Sequence, residues 1–410
     1  MTTATDHRRT VEEHRAAVRA LLADCSPGTE EVPLVDAVGR VLAEDVTAAV
    51  PLPVFTNSAM DGYAARWAEV GAATSDRPVR LPVAEDVPAG RTDVPPLDPG
   101  TVHRIMTGAP VPDGADVVVP VEDTDGSTTT VTITASPAAG SYLRHSGEDI
   151  AQGATALTAG TVLGPAQLGV AASVGRARVL VRRRPRVLVL STGSELVAPG
   201  EALRPGQIHE SNSLVLAAAV DAAGGAARTL HFVPDDVDQF LTTVRAELAD
   251  ADLLITSGGV SMGAYEVVKD ALGALGTVEF VKVAMQPGGP QGSGTVDGVP
   301  VVTLPGNPVS SFVSFEVFVR PALRAALGIP DPHRLRTTAR LTRPLTSPPG
   351  RRQYLRGRFA DGEVELVGGP GSHLLAHLAR ATCLVVVPEG VTELPAGSPV
   401  EVLLVEGALQ

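Results

Sequence analysis

Four short stretches of the chain have one composition. STGSEL (191–196), VPDD (233–236), SGGVSMG (257–263) and LPGNPVSS (304–311) each join an apolar run to a segment of helical spacing. Ser, Thr and Gly at such junctions expose backbone N–H groups, and the positive end of a helix dipole attracts anions. Pro308 suits a first helical turn, and Ser310 or Ser311 adds a hydroxyl donor. The outline is a phosphate or oxyanion site built from Ser257, Gly258, Gly259, Ser261, Pro305, Gly306, Asn307 and Ser310. Neither a Walker A sequence nor GxGxxG is present, so the ordinary P-loop and dinucleotide readings fail.

Carboxylates accompany these loops: Glu195, Asp235, Asp236 and Glu266. Each has an ordinary explanation when taken singly. Glu195 could be a first-turn helix acid, and Asp235 and Asp236 an N-cap and a solvated turn. Several acids at the strand ends of one sheet suit a Mg²⁺ that bridges them to phosphate. Further candidates lie outside the loops. Asp61 stands in NSAMDGYA, where Asp-Gly is first of all a turn signal. Thr107 lies in RIMTGAPVPDGAD and Asp149 in RHSGEDI. Arg351 and Arg356 lie in GRRQYLRGRF, where a guanidinium fork could meet an oxyanion; an exposed basic strand is the alternative. Lys269 and Lys282 are the only lysines of an arginine-rich chain. Lys282 precedes QPGGPQGSG, which reads as a ligand lid or a mobile surface loop. His373 and His377 have helical spacing but no third ligand, so zinc is not expected.

These residues need elements to hold them. Residues 184–328 alternate continuous Val/Leu/Ile runs with helical segments, the pattern of a doubly wound, parallel-sheet α/β domain. Ligands bind such sheets at the carboxyl ends of the strands, where the loops above stand. Residues 30–175 and 335–410 read as short Val-rich strands with many turns. The expected fold is therefore multidomain, α/β plus β-rich, with the β-rich N-terminal half in two parts and a small C-terminal β-barrel or sandwich, the barrel being preferred. The expected parts are 1–50 with 147–180 (an N-terminal helix and a linking β-rich domain), 51–146 (a β-rich lobe), 181–330 (α/β) and 335–410 (barrel-like). The uncharged span Ala151–Gly175 reads as turns and short strands, because Gly, Pro, Thr and Gln interrupt it.

Composition narrows the function. At 410 residues the chain exceeds one ordinary core. A formal charge of −13 argues against a general nucleic-acid or membrane-surface binder. Cys25 and Cys383 form no CxxC, which suits a reducing cytoplasm.

In order along the chain, NSAMDGYA, RIMTGAPVP, GEDI, STGSEL, VPDD, SGGVSMG, LPGNPVS, YLRG and GSH resemble the molybdopterin molybdenumtransferases, a family similar to the gephyrin E domain. The resemblance implies an enzyme that inserts molybdate into adenylylated molybdopterin, releasing AMP and forming molybdenum cofactor. It also implies Mg²⁺, no zinc, a molybdopterin- and nucleotide-binding α/β domain, a cytoplasmic homodimer with the site shared between chains, and the adenylyltransferase of the same pathway as a further partner. Carried over by residue, it implies catalytic roles for Asp61, Thr107, Asp149, Glu195, Lys282 and Arg356. It implies a metal held by Glu195, Asp235 or Asp236, and Glu266. Three positions depart from the family: Glu266 replaces an aspartate, and Gln286 and Gly289 replace the lysines of KPGKP. The alternative reading is a non-catalytic molybdopterin-binding or scaffold homologue, favoured by the lost lysines and opposed by the retained acids.

Overall fold

The computed structural model describes residues 8–23, 25, 28–193, 195–231, 237–258, 267–274 and 277–405. Helix α1 (Val11–Ala23) opens on a capping box: Thr10 Oγ1 accepts the Glu13 N–H at 3.1 Å and Glu13 returns the bond to the Thr10 N–H at 2.8 Å. Its buried face, Val11, His14, Val18 and Leu22, follows helical spacing. That face shares one core with Val187, Leu216 and Phe318 of the α/β unit and with Tyr354 and Leu384 beyond it.

His14 is fully buried in this core, its ring edge-on to Phe318 at 4.7 Å, and both ring nitrogens lack a partner among the described residues. Burial, helped by Arg9 and opposed by Glu279, pushes its pKa down to about 4. The unfolded chain therefore takes up this proton first as pH falls. The stability that the neutral ring contributes is intact above its ordinary value of 6.5 and is lost between there and about 4. We expect wild type to lose up to about 3 kcal/mol more than His14→Leu between pH 7.5 and 4. Calorimetric melts of both chains at the two pH values check this, and parallel losses would refute it.

A five-stranded sheet follows α1, built from β1 (Gly62–Ala65), β2 (Val79–Val87), β3 (Val102–Ile105), β4 (Val117–Pro120) and β5 (Thr130–Ile133), in the order β4-β1-β3-β2-β5. Gly62 does not reverse the chain, although Asp-Gly suggests it. It lies in β1 so close to β4 that a Cβ would fall 2.0 Å from the Val119 carbonyl oxygen. The span 151–175 is also corrected, because it contains helix α2 (Pro165–Ser173). Its Gly and Pro are start signals rather than breakers. Pro165 occupies the first turn, and Gln167 Oε1 accepts the Gly164 N–H at 3.1 Å.

The α/β unit holds β6 (Arg186–Ser191), α3 (Asn212–Ala222), β7 (Ala226–His231), α4 (Val237–Leu248), β8 (Leu253–Ser257), α5 (Val267–Ala274), β9 (Val278–Lys282), β10 (Pro290–Val296), β11 (Val299–Leu304) and α6 (Pro308–Ser314). The sheet order is β7-β6-β8-β11-β10-β9. β6, β7, β8 and β11 are parallel, as the continuous apolar runs require. The sheet is nevertheless mixed, because β10 runs antiparallel to both its neighbours. The reason is a two-residue turn at Asp297-Gly298, with φ of 48° and 84°, the hairpin geometry that Asp-Gly favours. The expected lid after Lys282 is accordingly a strand from Pro290 onward.

α6 runs through a π-helical turn (Phe315–Val319) into a last helical segment (Arg320–Ala326). Glu316 is buried in that turn. It accepts two hydrogen bonds from Arg334 at 2.8 and 2.9 Å, and Arg320 stands 3.8 Å away. The clamp fixes the connection to the C-terminal barrel. There β12 (Arg336–Leu341), β13 (Arg352–Ala360), β14 (Glu363–Leu366), β15 (Cys383–Val387) and β16 (Pro399–Leu404) close in the ring β13-β14-β12-β16-β15-β13.

Candidate active site

The order of the α/β sheet reverses direction between β6 and β8, since the chain goes from β6 outward to β7 and then back across to β8. That point is where such folds hold ligands. The strand ends there are pressed together. The Thr192 N–H donates to Ser257 O at 3.3 Å and the Gly258 N–H to Leu304 O at 3.1 Å. Gly258 has φ of 97°, and a Cβ on it would fall 2.9 Å from Thr192 O. A Cβ on Gly306 would stand 3.3 Å from the Gly258 Cα. The crevice floor is therefore bare backbone because side chains do not fit. The Glu195 carboxylate is exposed at the rim and folds over Gly193, whose missing side chain makes room for it. The Ser257 and Ser311 hydroxyls, both buried, lie 3.2 Å apart beneath the floor.

Sequence reading missed Asn212, the first residue of α3. Its Nδ2 donates to Ser257 Oγ at 2.9 Å and to Gly306 O at 2.6 Å, tying the end of β8, where its loop begins, to the loop after β11. The buried Glu210 accepts the Ser213 N–H at 2.7 Å and so fixes where that helix begins. The available signal was HESNS, a polar cluster opening a helix. Its partners, 45 and 94 residues away, gave none.

Asp61 and Thr107 meet on the five-stranded unit. Asp61 Oδ1 accepts the Thr107 N–H at 2.6 Å and the Thr107 hydroxyl at 2.7 Å. The backbone bond first and the hydroxyl second hold the Asp61 carboxyl below its ordinary range, with help from Arg104. Asp149 is exposed, and its N–H is held by Leu52 O at 3.0 Å. Lys282 ends β9, exposed, and its carbonyl accepts the Arg9 N–H at 3.0 Å.

Arg356 is only 4% exposed, and burial alone lowers its pKa. Its guanidinium donates to the carbonyls of Val367, Gly369 and Gly371. It holds the loop whose Ser372 carbonyl accepts the Val309 N–H of α6 at 3.0 Å. One N–H expected to face an anion is thus taken by the barrel. In the turn from β11 into α6, Pro305 and Ser310 are buried and Asn307 is exposed. Arg351 is half-buried just before β13. Gly259, Ser261, Asp235, Asp236 and Glu266 lie outside the described residues. Among the described residues no group of three or more His, Cys, Asp or Glu could hold a metal ion. The two cysteines are buried and their thiols pushed up to about 11 and about 12, which leaves them inert. No helix among the described residues is long and apolar enough to cross a membrane.

Family models match the chain in the same order as these units. The MoeA N-terminal region (domain I and II) matches 9–175, the probable molybdopterin binding domain 188–325, and the MoeA C-terminal region (domain IV) 338–405. Molybdopterin molybdenumtransferase 2 of Mycobacterium tuberculosis is 54% identical over 402 residues, covering 96% of this chain and 99% of that one. The chain belongs to the molybdopterin molybdenumtransferase family. A more distant member from Bacillus subtilis is 33% identical over 386 residues, covering 92% of this chain and 90% of its own. The crystal structure of the molybdopterin biosynthesis protein MoeA from Pyrococcus horikoshii superposes with a TM-score of 0.81 at 32% identity, covering 98% of this chain and 100% of that one. Membership makes this chain an enzyme of molybdenum cofactor biosynthesis.

Proposed function

We propose that this enzyme inserts molybdate into adenylylated molybdopterin and releases AMP, with Mg²⁺, as a cytoplasmic homodimer whose site is shared between chains. The observation that carries the reading is the crevice at the switch point: backbone of Ser257, Gly258 and Gly306 beside an exposed Glu195. A floor of glycine backbone without side chains lets a phosphate or an oxyanion approach closely, while a carboxylate at the rim suits a hard cation. Glu195 with Asp235 or Asp236 and Glu266 would hold Mg²⁺, which when bound neutralises phosphate charge. Asp61 and Thr107 stand exposed on a different unit, where they can face the crevice of a second chain. With its hydroxyl hydrogen-bonded to Asp61 Oδ1, Thr107 presents an acceptor lone pair, and the ionised Asp61 keeps its second oxygen for a proton or a metal. Arg356 serves by holding the loop against α6.

The purified chain should release AMP from adenylylated molybdopterin only with molybdate and Mg²⁺ present, and EDTA should abolish release. Tight binding of the adenylylated ligand without AMP release under those conditions would replace this reading with the scaffold one.

A further inference from the structure

The loop Gln286–Gly289 lies between β9 and β10, and the chain carries no charge from Val283 to Val296. It is gripped from two sides by glutamines. Gln291, 1% exposed, donates through Nε2 to the Gly288 carbonyl at 2.6 Å and to Ser314 Oγ on α6 at 2.7 Å. Gln353, 3% exposed on barrel strand β13, donates to Gln286 Oε1 at 3.3 Å. The short strand Met285–Gln286 pairs in parallel with Arg352–Gln353, and the Arg352 N–H donates to Ala284 O at 2.9 Å. Gly288 has φ of 101°, and a Cβ there would fall 2.7 Å from Ser314 Oγ and 3.5 Å from the Ser310 carbonyl oxygen. The loop thus packs directly on the helix that carries Ser310.

Both glutamines hold an expensive position. Their Oε1 atoms are buried with no partner among the described residues. An unpaired buried acceptor costs about 1–3 kcal/mol. Methionine fills a similar volume without that cost, so what each amide adds is its NH₂ donor. A lysine or arginine could also donate, but it would bring a charge into a dry position.

We propose that Gln291 and Gln353 are positioning residues that hold residues 286–289 as a fixed, uncharged wall of the site. The proposal rests on the reading that the crevice beside α6 binds adenylylated molybdopterin. The wall then meets the ligand with shape and backbone rather than with point charges.

The test uses full-length wild type, Gln291→Met and Gln353→Met, with hydrogen–deuterium exchange over 284–290 and steady-state AMP release. The loop amides in Gln291→Met should exchange about tenfold faster or more while the melting temperature stays nearly level, because relief of the unpaired Oε1 offsets the Gly288 carbonyl left without its donor. KM for adenylylated molybdopterin should rise about tenfold with kcat nearly unchanged, the signature of a lost binding surface. Gln353→Met should move the same readouts from the barrel side and decides the matter if the first variant fails to fold. Unchanged exchange would overturn the pinning, and faster exchange with unchanged KM would overturn the wall. If wild type binds the substrate without turning it over, the proposed reaction fails. Kd then replaces KM in the same comparison: a tenfold rise upholds the wall, and an unchanged Kd overturns it.

Discussion

Asp61→Asn is expected to release AMP at least about a hundredfold more slowly than wild type, with an unchanged melting temperature. Asparagine keeps the shape and one acceptor for Thr107, so the local fold should persist. What it removes is the negative charge that the two Thr107 bonds stabilise. Because those bonds lower the Asp61 pKa, the carboxylate is ionised throughout the physiological range and acts as an anion. Thr107→Val separates the two contributions. It deletes the hydroxyl donor but keeps the N–H, so the Asp61 pKa should rise and the acid limb of the pH–rate profile should move to higher pH. A wild-type rate in Asp61→Asn would remove this residue from the reaction.

Glu316→Ala should destabilise the chain by about 3–5 kcal/mol, because it leaves buried arginines without their counter-charge. Arg334 loses both its hydrogen bonds, and Arg320 is already pushed down to about 10 by burial and by Arg334. Arg324, close by, is lowered by the same burial. The cluster also ties the connection after α6 to the helix, since Arg320 Nη1 donates to Pro332 O at 3.2 Å. The barrel should therefore loosen from the α/β unit before either melts. Calorimetry should show the main transition shifted down and split. A single endotherm displaced by less than about 1 kcal/mol would mean that water screens this cluster as it screens surface pairs.

Two of the five Asp-Gly pairs in the chain show how far local sequence reaches. At 297–298 the pair makes the two-residue hairpin its type favours and turns a supposed lid into strand β10. At 61–62 the same pair makes no hairpin, and Gly62 is required by the approach of β4, which the local sequence does not encode. Likewise the four basic residues of GRRQYLRGRF look alike in sequence. The structure buries Arg356 on three carbonyls and pairs Arg352 with Glu12 and Glu389. The ordered motifs were legible because each is a contiguous run whose backbone chemistry is local, and the parallel strands because burial on both faces demands unbroken apolar residues.

By itself the sequence determined the class of each unit, the positions of the strand-end loops and the family those loops resemble. Periodicity, caps and turn chemistry act between residues a few positions apart, so they can be read along the chain. Only the tertiary structure decided that Asn212 ties two of the loops, that Arg356 holds a loop instead of facing an anion, and that two glutamines fix the loop before β10. Those partners are brought together by sheet order and by barrel closure, and a donor's type states that it needs an acceptor without saying which one.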